Sequence, residues 1–196
     1  MRNKNESMMI ILSSPSGAGK TTISKKIQQK FQNFKISVSH TTREPRSNEV
    51  NGVDYHFTKK EDFKKLIEED KFYEYAKIFK NYYGTSKNSI KTLLNNNNDV
   101  LFDIDWQGTK QLSKFSELKP IKIFILPPSK NELKKRLIER NQDKGEIIKQ
   151  RLEAYDEDII HWKDYDYIIL NDNLEICFKQ IEQIIYVNKQ DKIKLN

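Results

Sequence analysis

The stretch "SSPSGAGKTT", residues 13–22, decides the fold of this chain. It follows the apolar run "MMIIL", residues 8–12, and it precedes a lysine-rich segment in which Ile23 and Ile27 recur at helical spacing. A strand, a glycine-containing turn and an amphipathic helix in this order are typical of a phosphate-binding loop. The pattern G-x-x-x-x-G-K-[ST] is complete except at its first position, where Ser14 stands in place of glycine.

A phosphate group needs converging backbone N–H groups, a helix N-terminus and a nearby cation. The small residues before Lys20 allow backbone N–H groups to converge at the start of the helix. Lys20 can reach the β- and γ-phosphates, and the Thr21 hydroxyl can ligate Mg²⁺. An ordinary glycine-containing turn explains the Lys20-Thr21 pair less well. The Ser14 departure matters only if that position requires a positive φ. The residues that we predict to bind a nucleoside triphosphate are Ser14, Pro15, Ser16, Gly17, Ala18, Gly19, Lys20, Thr21 and Thr22.

Length, charge and cysteine content restrict the class of protein. A chain of 196 residues can bury a hydrophobic core as one domain. Its net charge is +7, but acidic residues are interspersed with the basic ones, which favours a solvated surface over a nucleic-acid-binding stripe. The single cysteine, Cys177, excludes an internal disulfide, and "MMIIL" is too short for a signal peptide or a membrane span. We predict a cytoplasmic protein without nucleic-acid or membrane partners, and the sequence leaves its oligomeric state open.

Short β-branched runs alternate with helical patterns along the chain, which is typical of an α/β fold with a parallel sheet. We therefore predict a phosphate-binding-loop core in which helices flank a parallel sheet. The segments that we interpret as strands are residues 8–13, 35–40, 100–104, 121–126 and 165–170.

Residues 41–90 interrupt this alternation. The stretch is polar and turn-rich around Pro45 and the Asn51-Gly52 pair, and it then carries the aromatic run "FYEYAKIFKNYYG". We interpret it as an inserted subdomain.

Two short patterns predict where helices begin. Thr58 followed by Glu61, and Ser129 followed by Glu132, have the spacing of a capping box, in which a hydroxyl accepts a backbone N–H of the first turn. We expect one helix to start after each hydroxyl residue.

The segment "DIDWQG", residues 103–108, supplies two acidic residues at the end of a predicted strand. Ligands of α/β sheets bind at the carboxyl ends of strands, and alternation places Asp103 and Asp105 on the same side. Either carboxylate could bind Mg²⁺ directly or through water. The alternative is that one of them caps the helix that begins near Trp106.

The inserted segment also carries residues suited to a second phosphate. Arg43 and Arg46 flank Pro45 at a spacing of three, and Tyr55 and Tyr83 offer hydroxyl groups. Guanidinium groups bind phosphate through paired N–H donors, so these four side chains could form a clamp.

Glu74 lies among aromatic residues, where a carboxylate can accept two parallel N–H groups. Guanine presents such a pair in its N1–H and N2–H₂. Ser39 and Thr85 carry small hydroxyls that could read the remaining edge of the base. The residues alone therefore predict an acceptor site for a phosphorylated purine.

Several strings together resemble the guanylate kinase family along nearly the whole chain. They are "SSPSGAGKTT", "SVSHTTREPRSNEVNGVDYHF", "FYEYAKIFKNYYGTS", "DIDWQG" and "LPPSKNELKKRL", of which the second is the most specific. The resemblance implies an enzyme that transfers the γ-phosphate of MgATP to GMP, and to dGMP, giving ADP and GDP in purine nucleotide metabolism. It also implies one domain with a phosphate-binding-loop core (residues 1–38, 91–128 and 161–196), a GMP-binding subdomain (39–90) and a helical lid (129–160).

The resemblance also implies roles for individual residues. The ligands of the GMP phosphate would be Arg43, Arg46, Tyr55 and Tyr83. The contacts on the guanine side would be Ser39, Glu74, Thr85 and Asp105. Magnesium would be held by Thr21 and by Asp103, the latter directly or through water, and Asn171 would lie near the adenine. The residues implied to act in catalysis are Lys20, Arg43, Arg136, Arg140 and Arg151, with the last three closing over the phosphates.

The chain departs from the family pattern at a few positions. Ser14 replaces the first loop glycine, Thr85 stands where serine is common, and Asn141 stands where a glycine often follows the second lid arginine. None of these changes removes a required chemical group. We interpret His56 and His161 as structural or surface residues, because the attacking oxygen of GMP is already anionic and needs no general base.

Two other functions stay open. One is a catalytically inactive guanylate-kinase-like module that binds proteins, although such modules typically lose the phosphate-binding loop. The other is a related P-loop kinase that acts on another small phosphorylated acceptor, such as a ribose phosphate.

Overall fold

The computed structural model describes residues 7–139 and 145–194. The strands within these ranges are β1 (Met9–Ser13), β2 (Phe34–Ile36), β3 (His40–Thr41), β4 (His56–Phe57), β5 (Phe72–Ile78), β6 (Asn81–Ser86), β7 (Asp99–Asp103), β8 (Ile121–Leu126) and β9 (Tyr167–Leu170). The helices are α1 (Lys20–Lys30), α2 (Lys60–Glu68), α3 (Lys87–Asn95), α4 (Trp106–Leu112), α5 (Lys130–Glu139), α6 (Gly145–Ile159) and α7 (Leu174–Lys194), and a 3₁₀ turn spans Ile160–Asp164. No helix in the described part of the chain has both the length and the hydropathy of a membrane span.

The larger sheet has the order β2-β7-β1-β8-β9. Its pairs β2–β7, β1–β8 and β8–β9 are parallel, with Ile10 opposite Ile121 and Ile123 opposite Tyr167. Ile10, Ile11 and Leu12 of β1 are fully buried, which explains why this strand is a continuous apolar run rather than an alternating one. The sheet confirms the predicted α/β fold with a parallel core flanked by helices. The strand predicted over residues 35–40 ends at Ile36.

Two compact units make up the chain. Within the described ranges, the first contains residues 7–9, 33–102 and 107–120, and the second contains residues 10–32, 103–106, 121–139 and 145–194.

The first unit holds a four-stranded sheet of order β4-β3-β6-β5. Strands β5 and β6 form an antiparallel hairpin in which Glu74 lies opposite Thr85. The pairing shifts between Phe72 and Glu74, so that one strand carries an extra residue, a β-bulge. Helix α2 packs beside this hairpin, because Phe63 is fully buried and its ring stacks on Phe72 at 4.7 Å between centroids.

The start of α2 differs from the prediction. Lys59 occupies the N-cap position and its side chain accepts no hydrogen bond. The Thr58 hydroxyl instead donates to the carbonyl oxygen of His56 at 3.0 Å. The predicted capping box of Thr58 and Glu61 is therefore wrong, because the helix begins one residue later than the pattern requires and Thr58 lies before the N-cap.

The second unit places α5 and α6 against the phosphate-binding loop. Helix α5 begins as predicted, since Ser129 Oγ accepts the backbone N–H of Glu132 at 3.1 Å. Its Leu133 and Leu137 are fully buried together with Ala18 of the loop. The partly buried side chains that pack against this cluster from α6 are Ile148, Leu152 and Tyr155.

Candidate active site

Two glycines give the loop between β1 and α1 its shape. Gly17 has a φ of 98° and Gly19 a φ of 100°, which is the left-handed region that favours glycine. A Cβ on Gly19 would lie 2.4 Å from Asn171 Nδ2, and one on Gly17 would lie 2.8 Å from Leu137 Cδ2. Among the described residues, Ser14 is not one of those with a positive φ. Replacing the first glycine of the pattern by Ser14 therefore causes no strain of that kind.

Lys20 is the first residue of α1, and its amine lies 2.7 Å from Asp103 Oδ1 at the end of β7. The amine also donates to the carbonyl oxygen of Ile104 at 3.2 Å. Burial lowers the pKa of Lys20, but the charge and hydrogen bond of Asp103, with contributions from Asp105 and Tyr165, raise that pKa above its usual value. The amine is therefore a fixed cation at the carboxyl end of the parallel sheet.

The remaining residues of the loop differ in burial and in hydrogen bonding. Ala18 N donates to the carbonyl oxygen of Pro15 at 3.1 Å, and both residues are buried. Ser16 is partly buried, whereas Thr21 and Thr22 lie exposed on the first turn of α1. The loop is thus closed by a backbone hydrogen bond, and the hydroxyl residues Thr21 and Thr22 that follow it are exposed to solvent.

Two of the three arginines predicted for the lid form hydrogen bonds with the phosphate-binding loop or with Asn171. Arg136 Nη1 donates to the carbonyl oxygen of Asn171 at 2.9 Å, and Arg151 donates to Ser16 Oγ. The Asn171 amide in turn donates to the carbonyl oxygen of Ala18 at 2.7 Å and is itself buried. Arg140 lies outside the described residues.

Asp158 of α6 is a neighbour of this site that the sequence did not reveal. Burial raises the pKa of its carboxyl to about 6, and the charge of Asp105 raises it further, while a hydrogen bond from Trp106 and the charge of Lys20 lower it. The His161 ring stacks on Trp106 with centroids 3.7 Å apart. In the linear pattern Asp158 belongs to the acidic run "DED", which is typical of a solvated helix face.

The first unit brings together the four residues predicted to clamp a second phosphate. The guanidinium of Arg43 lies 5.4 Å from the centroid of the Tyr55 ring, and the Tyr55 ring meets Tyr83 edge-on at 6.0 Å. Arg43 Nη2 and Arg46 N both bind the carboxylate of Glu49, at 2.7 and 2.8 Å. The sequence analysis missed Glu49, although its position three residues after Arg46 in a turn was a usable signal.

Arg43 and Glu49 stabilise each other's charge. Burial lowers the pKa of Arg43, but the hydrogen bond to Glu49 and the nearby Tyr83 and Tyr55 raise it above its usual value. Burial raises the pKa of Glu49, but hydrogen bonds from Arg43 and from the Arg46 backbone lower it overall. Both groups are therefore ionised at neutral pH.

The predicted base-reading residues of the first unit lie on β5 and β6 and before β3. Glu74 is only 3% exposed, and Thr85 is fully buried opposite it. The Thr85 hydroxyl has no hydrogen-bond partner among the described residues. Ser39 is partly buried, and its carbonyl oxygen accepts the N–H of His56 at 2.9 Å. Asp105, the fourth residue predicted for the base, belongs to the second unit.

The sequence and the fold are both similar to known proteins. The profile of the guanylate kinase family matches residues 6–188. The guanylate kinase of Maricaulis maris is 42% identical over 193 residues, which cover 98% of this chain and 88% of the relative. That of Rickettsia felis is 45% identical over 190 residues, which cover 97% and 98%. The crystal structure of guanylate kinase from Anaplasma phagocytophilum superposes with a TM-score of 0.76 at 30% identity, covering 94% of this chain and 87% of that one.

Proposed function

The chain belongs to the guanylate kinase family of enzymes, and from this membership we propose that it transfers the γ-phosphate of MgATP to GMP, or to dGMP, and releases ADP with GDP or dGDP. The observation that best supports this proposal is the buried pair of Glu74 and Thr85. A buried hydroxyl without a partner costs free energy unless a ligand completes its hydrogen bonds. A carboxylate beside it offers the acceptors that guanine N1–H and N2–H₂ require.

The acceptor nucleotide would be held by residues of two kinds. Arg43 has an aromatic ring on one side and a carboxylate on another, so its guanidinium is held in a fixed orientation for a phosphate. The residues proposed to bind the acceptor phosphate are Arg43, Arg46, Tyr55 and Tyr83. Those proposed to contact guanine are Ser39, Glu74, Thr85 and Asp105. In this proposal residues 39–90 form the GMP-binding subdomain.

The donor nucleotide would bind the loop between β1 and α1. We propose that the backbone of residues 14–22 surrounds the phosphates, that Lys20 contacts the β- and γ-phosphates, and that Asn171 lies on the adenine side. The Thr21 hydroxyl and the Asp103 carboxylate are oxygen donors of the kind that Mg²⁺ prefers, so these residues fit the ion that the family implies. When bound, Mg²⁺ would neutralise negative charge on the phosphates.

Catalysis would consist of alignment and charge compensation, since phosphoryl transfer requires little covalent participation by the protein. Lys20 is held beside Asp103 at 2.7 Å, so its charge is fixed before the reaction. Arg136 and Arg151, which contact Asn171 and Ser16, would add positive charge near the transferring group, and Arg140 would act with them. Residues 129–160, which carry these arginines, would form the lid over a core of residues 1–38, 91–128 and 161–196.

An assay of ADP release with a panel of acceptors tests the proposal. GMP and dGMP should support turnover, whereas AMP, CMP, UMP and ribose phosphate should support little. Preference for another acceptor would identify a different P-loop kinase. GMP binding without ADP release, for any acceptor, is instead the result expected of the catalytically inactive module.

A further inference from the structure

We propose that Glu49 is a positioning residue for the acceptor phosphate, because its carboxylate fixes the two arginines, Arg43 and Arg46, that would bind this phosphate. The inference rests on the proposed function, since it assumes that a phosphate binds these arginines. Glu49 itself would touch no substrate. Its effect would pass through the orientation of Arg43 and through the backbone turn at Arg46.

Glu49 closes the turn at Arg46 with both its side chain and its backbone. Glu49 Oε2 accepts the backbone N–H of Arg46 at 2.8 Å, and the backbone N–H of Glu49 donates to the carbonyl oxygen of Arg46 at 3.0 Å. The other carboxylate oxygen, Oε1, accepts an N–H of Arg43 Nη2 at 2.7 Å and lies 3.7 Å from Arg46 Nη1. One side chain therefore joins the turn, its backbone and both guanidinium groups.

The orientation of Arg43 depends on this carboxylate. The Arg43 Nη1 group donates to the carbonyl oxygen of Glu44 at 2.8 Å, and the guanidinium lies 5.4 and 5.9 Å from the ring centroids of Tyr55 and Phe57. A guanidinium has five N–H donors, of which Arg43 uses two in these hydrogen bonds. The remaining donors can face a phosphate without displacing Glu49.

The low exposure of Glu49 and of the two arginines makes the loss of the Glu49 charge costly. The exposed fractions of the side chains are 12% for Glu49, 18% for Arg43 and 30% for Arg46. Removing one partner of a poorly exposed ion pair leaves the other charge uncompensated and free to reorient. Loss of a well-placed charge-assisted hydrogen bond to the phosphate should weaken GMP binding by about 10- to 100-fold.

The test compares Glu49→Ala with the matched control Glu44→Ala. Both variants remove one negative charge from the same loop, but the exposed Glu44 side chain is dispensable because Arg43 uses only its backbone carbonyl. Binding of GMP and of guanosine is measured by calorimetry, and KM and kcat are measured with each substrate varied. Guanosine lacks the phosphate, so it reports the base site alone.

We expect Glu49→Ala to weaken GMP binding and to raise KM for GMP by roughly 10- to 100-fold. Guanosine binding and KM for ATP should stay close to wild type, and kcat at saturating GMP should fall far less than kcat/KM. The thermal midpoint of the free protein should fall, because the variant loses the ion pair and the hydrogen bonds of Glu49. Glu49→Gln keeps an acceptor for the Arg46 N–H, so it should restore part of the loss. If Glu49→Ala fails to fold, the same measurements are made on Glu49→Gln, for which we expect a smaller loss of GMP binding.

Three results would overturn the inference. GMP binding as tight as in wild type, or tighter, would mean that Glu49 positions nothing or competes with the phosphate. Equal weakening of GMP and guanosine would mean that Glu49 only supports the fold. An effect of Glu44→Ala as large as that of Glu49→Ala would mean that loop charge alone is responsible. Failure of the proposed function is a separate outcome, seen when the wild-type protein itself does not use GMP.

Discussion

Gly108 lies directly against the carboxylate of Glu74. A Cβ at position 108 would come 2.6 Å from Glu74 Oε2 and 3.0 Å from Glu74 Cδ. Both residues are buried, and Gly108 is on α4 while Glu74 is on β5. The backbone of α4 thus defines one wall of the space in which this carboxylate lies, and any side chain at position 108 would push it away.

Replacing Gly108 by alanine should therefore impair use of GMP. The added methyl forces the Glu74 carboxylate to move, and a misplaced acceptor pair should raise KM for GMP by about 10- to 100-fold. Steady-state kinetics with GMP and ATP varied separately would measure this, and KM for ATP should stay unchanged. Lys110→Ala, an exposed change on the same helix, serves as control. Normal GMP kinetics in Gly108→Ala would show that the position of Glu74 is not critical.

Replacing Glu74 by glutamine tests recognition of the base. The substitution keeps the shape but turns an NH₂ donor toward the donors of guanine, and the loss should be about 2–5 kcal/mol. That corresponds to roughly 30- to several-thousand-fold in kcat/KM for GMP. AMP lacks both donors, so its poor use should not fall in parallel. Equal losses for GMP and AMP would assign Glu74 a role in the fold alone.

Lys20→Ala should reduce kcat with MgATP by about 10²–10³-fold, because a fixed cation near the transferring phosphate is removed. The Asp103 carboxylate also loses its ion pair at 2.7 Å, so the melting temperature should be recorded for the variant. Lys25→Ala is a suitable control, since it removes the same charge from an exposed position of α1. Near-normal turnover in Lys20→Ala, with Lys25→Ala also normal, would contradict the assignment of the loop.

Asp158 should make stability depend on pH. Its carboxyl has a pKa of about 6 instead of 3.8 because of burial and the charge of Asp105. A raised carboxyl pKa means that ionisation is unfavourable in the folded state, so the penalty is absent below about pH 4 and complete above about pH 6. Asp158→Asn should therefore melt at a higher temperature than wild type at pH 7.5, and at a similar temperature at pH 4.

The control for this prediction is Glu153→Gln, which changes an exposed acid on the same helix. It should leave the difference between the two pH values as it is in wild type. If Asp158→Asn is less stable than wild type at both pH values, the hydrogen bond from Trp106 outweighs the cost of the buried charge.

Local patterns predicted the parts of the fold that depend on neighbours in sequence. The apolar run of β1, the glycine turn and the start of α5 at Ser129 all follow from residues within a few positions of each other. The start of α2 did not, because this helix begins one residue later than the pattern predicts, with Lys59 as its N-cap. Thr58 directly follows β4, and its backbone N–H donates to the carbonyl oxygen of Thr41 in β3, so its conformation depends on tertiary pairing that the local pattern does not contain.

The residues of the candidate site show the same division. Glu74 could be singled out because a carboxylate among aromatic residues is unusual in a sequence. Asp158 could not, because what distinguishes it is the proximity of Asp105 and Trp106, which are more than fifty positions away. Glu49 looked like one polar residue in a polar loop, although its carboxylate binds two parts of that loop at once.

The backbone of the phosphate-binding loop has a consequence for how such loops are found in genomes. The usual letter pattern fixes glycine at the position of Ser14 and leaves the position of Gly17 open. In this loop the requirement is reversed, because Gly17 has a φ of 98° and Ser14 is not among the described residues with a positive φ. A search that requires glycine at the positions of Gly17 and Gly19, where φ is positive, and allows other residues at the position of Ser14 would retrieve this chain, which the usual pattern misses.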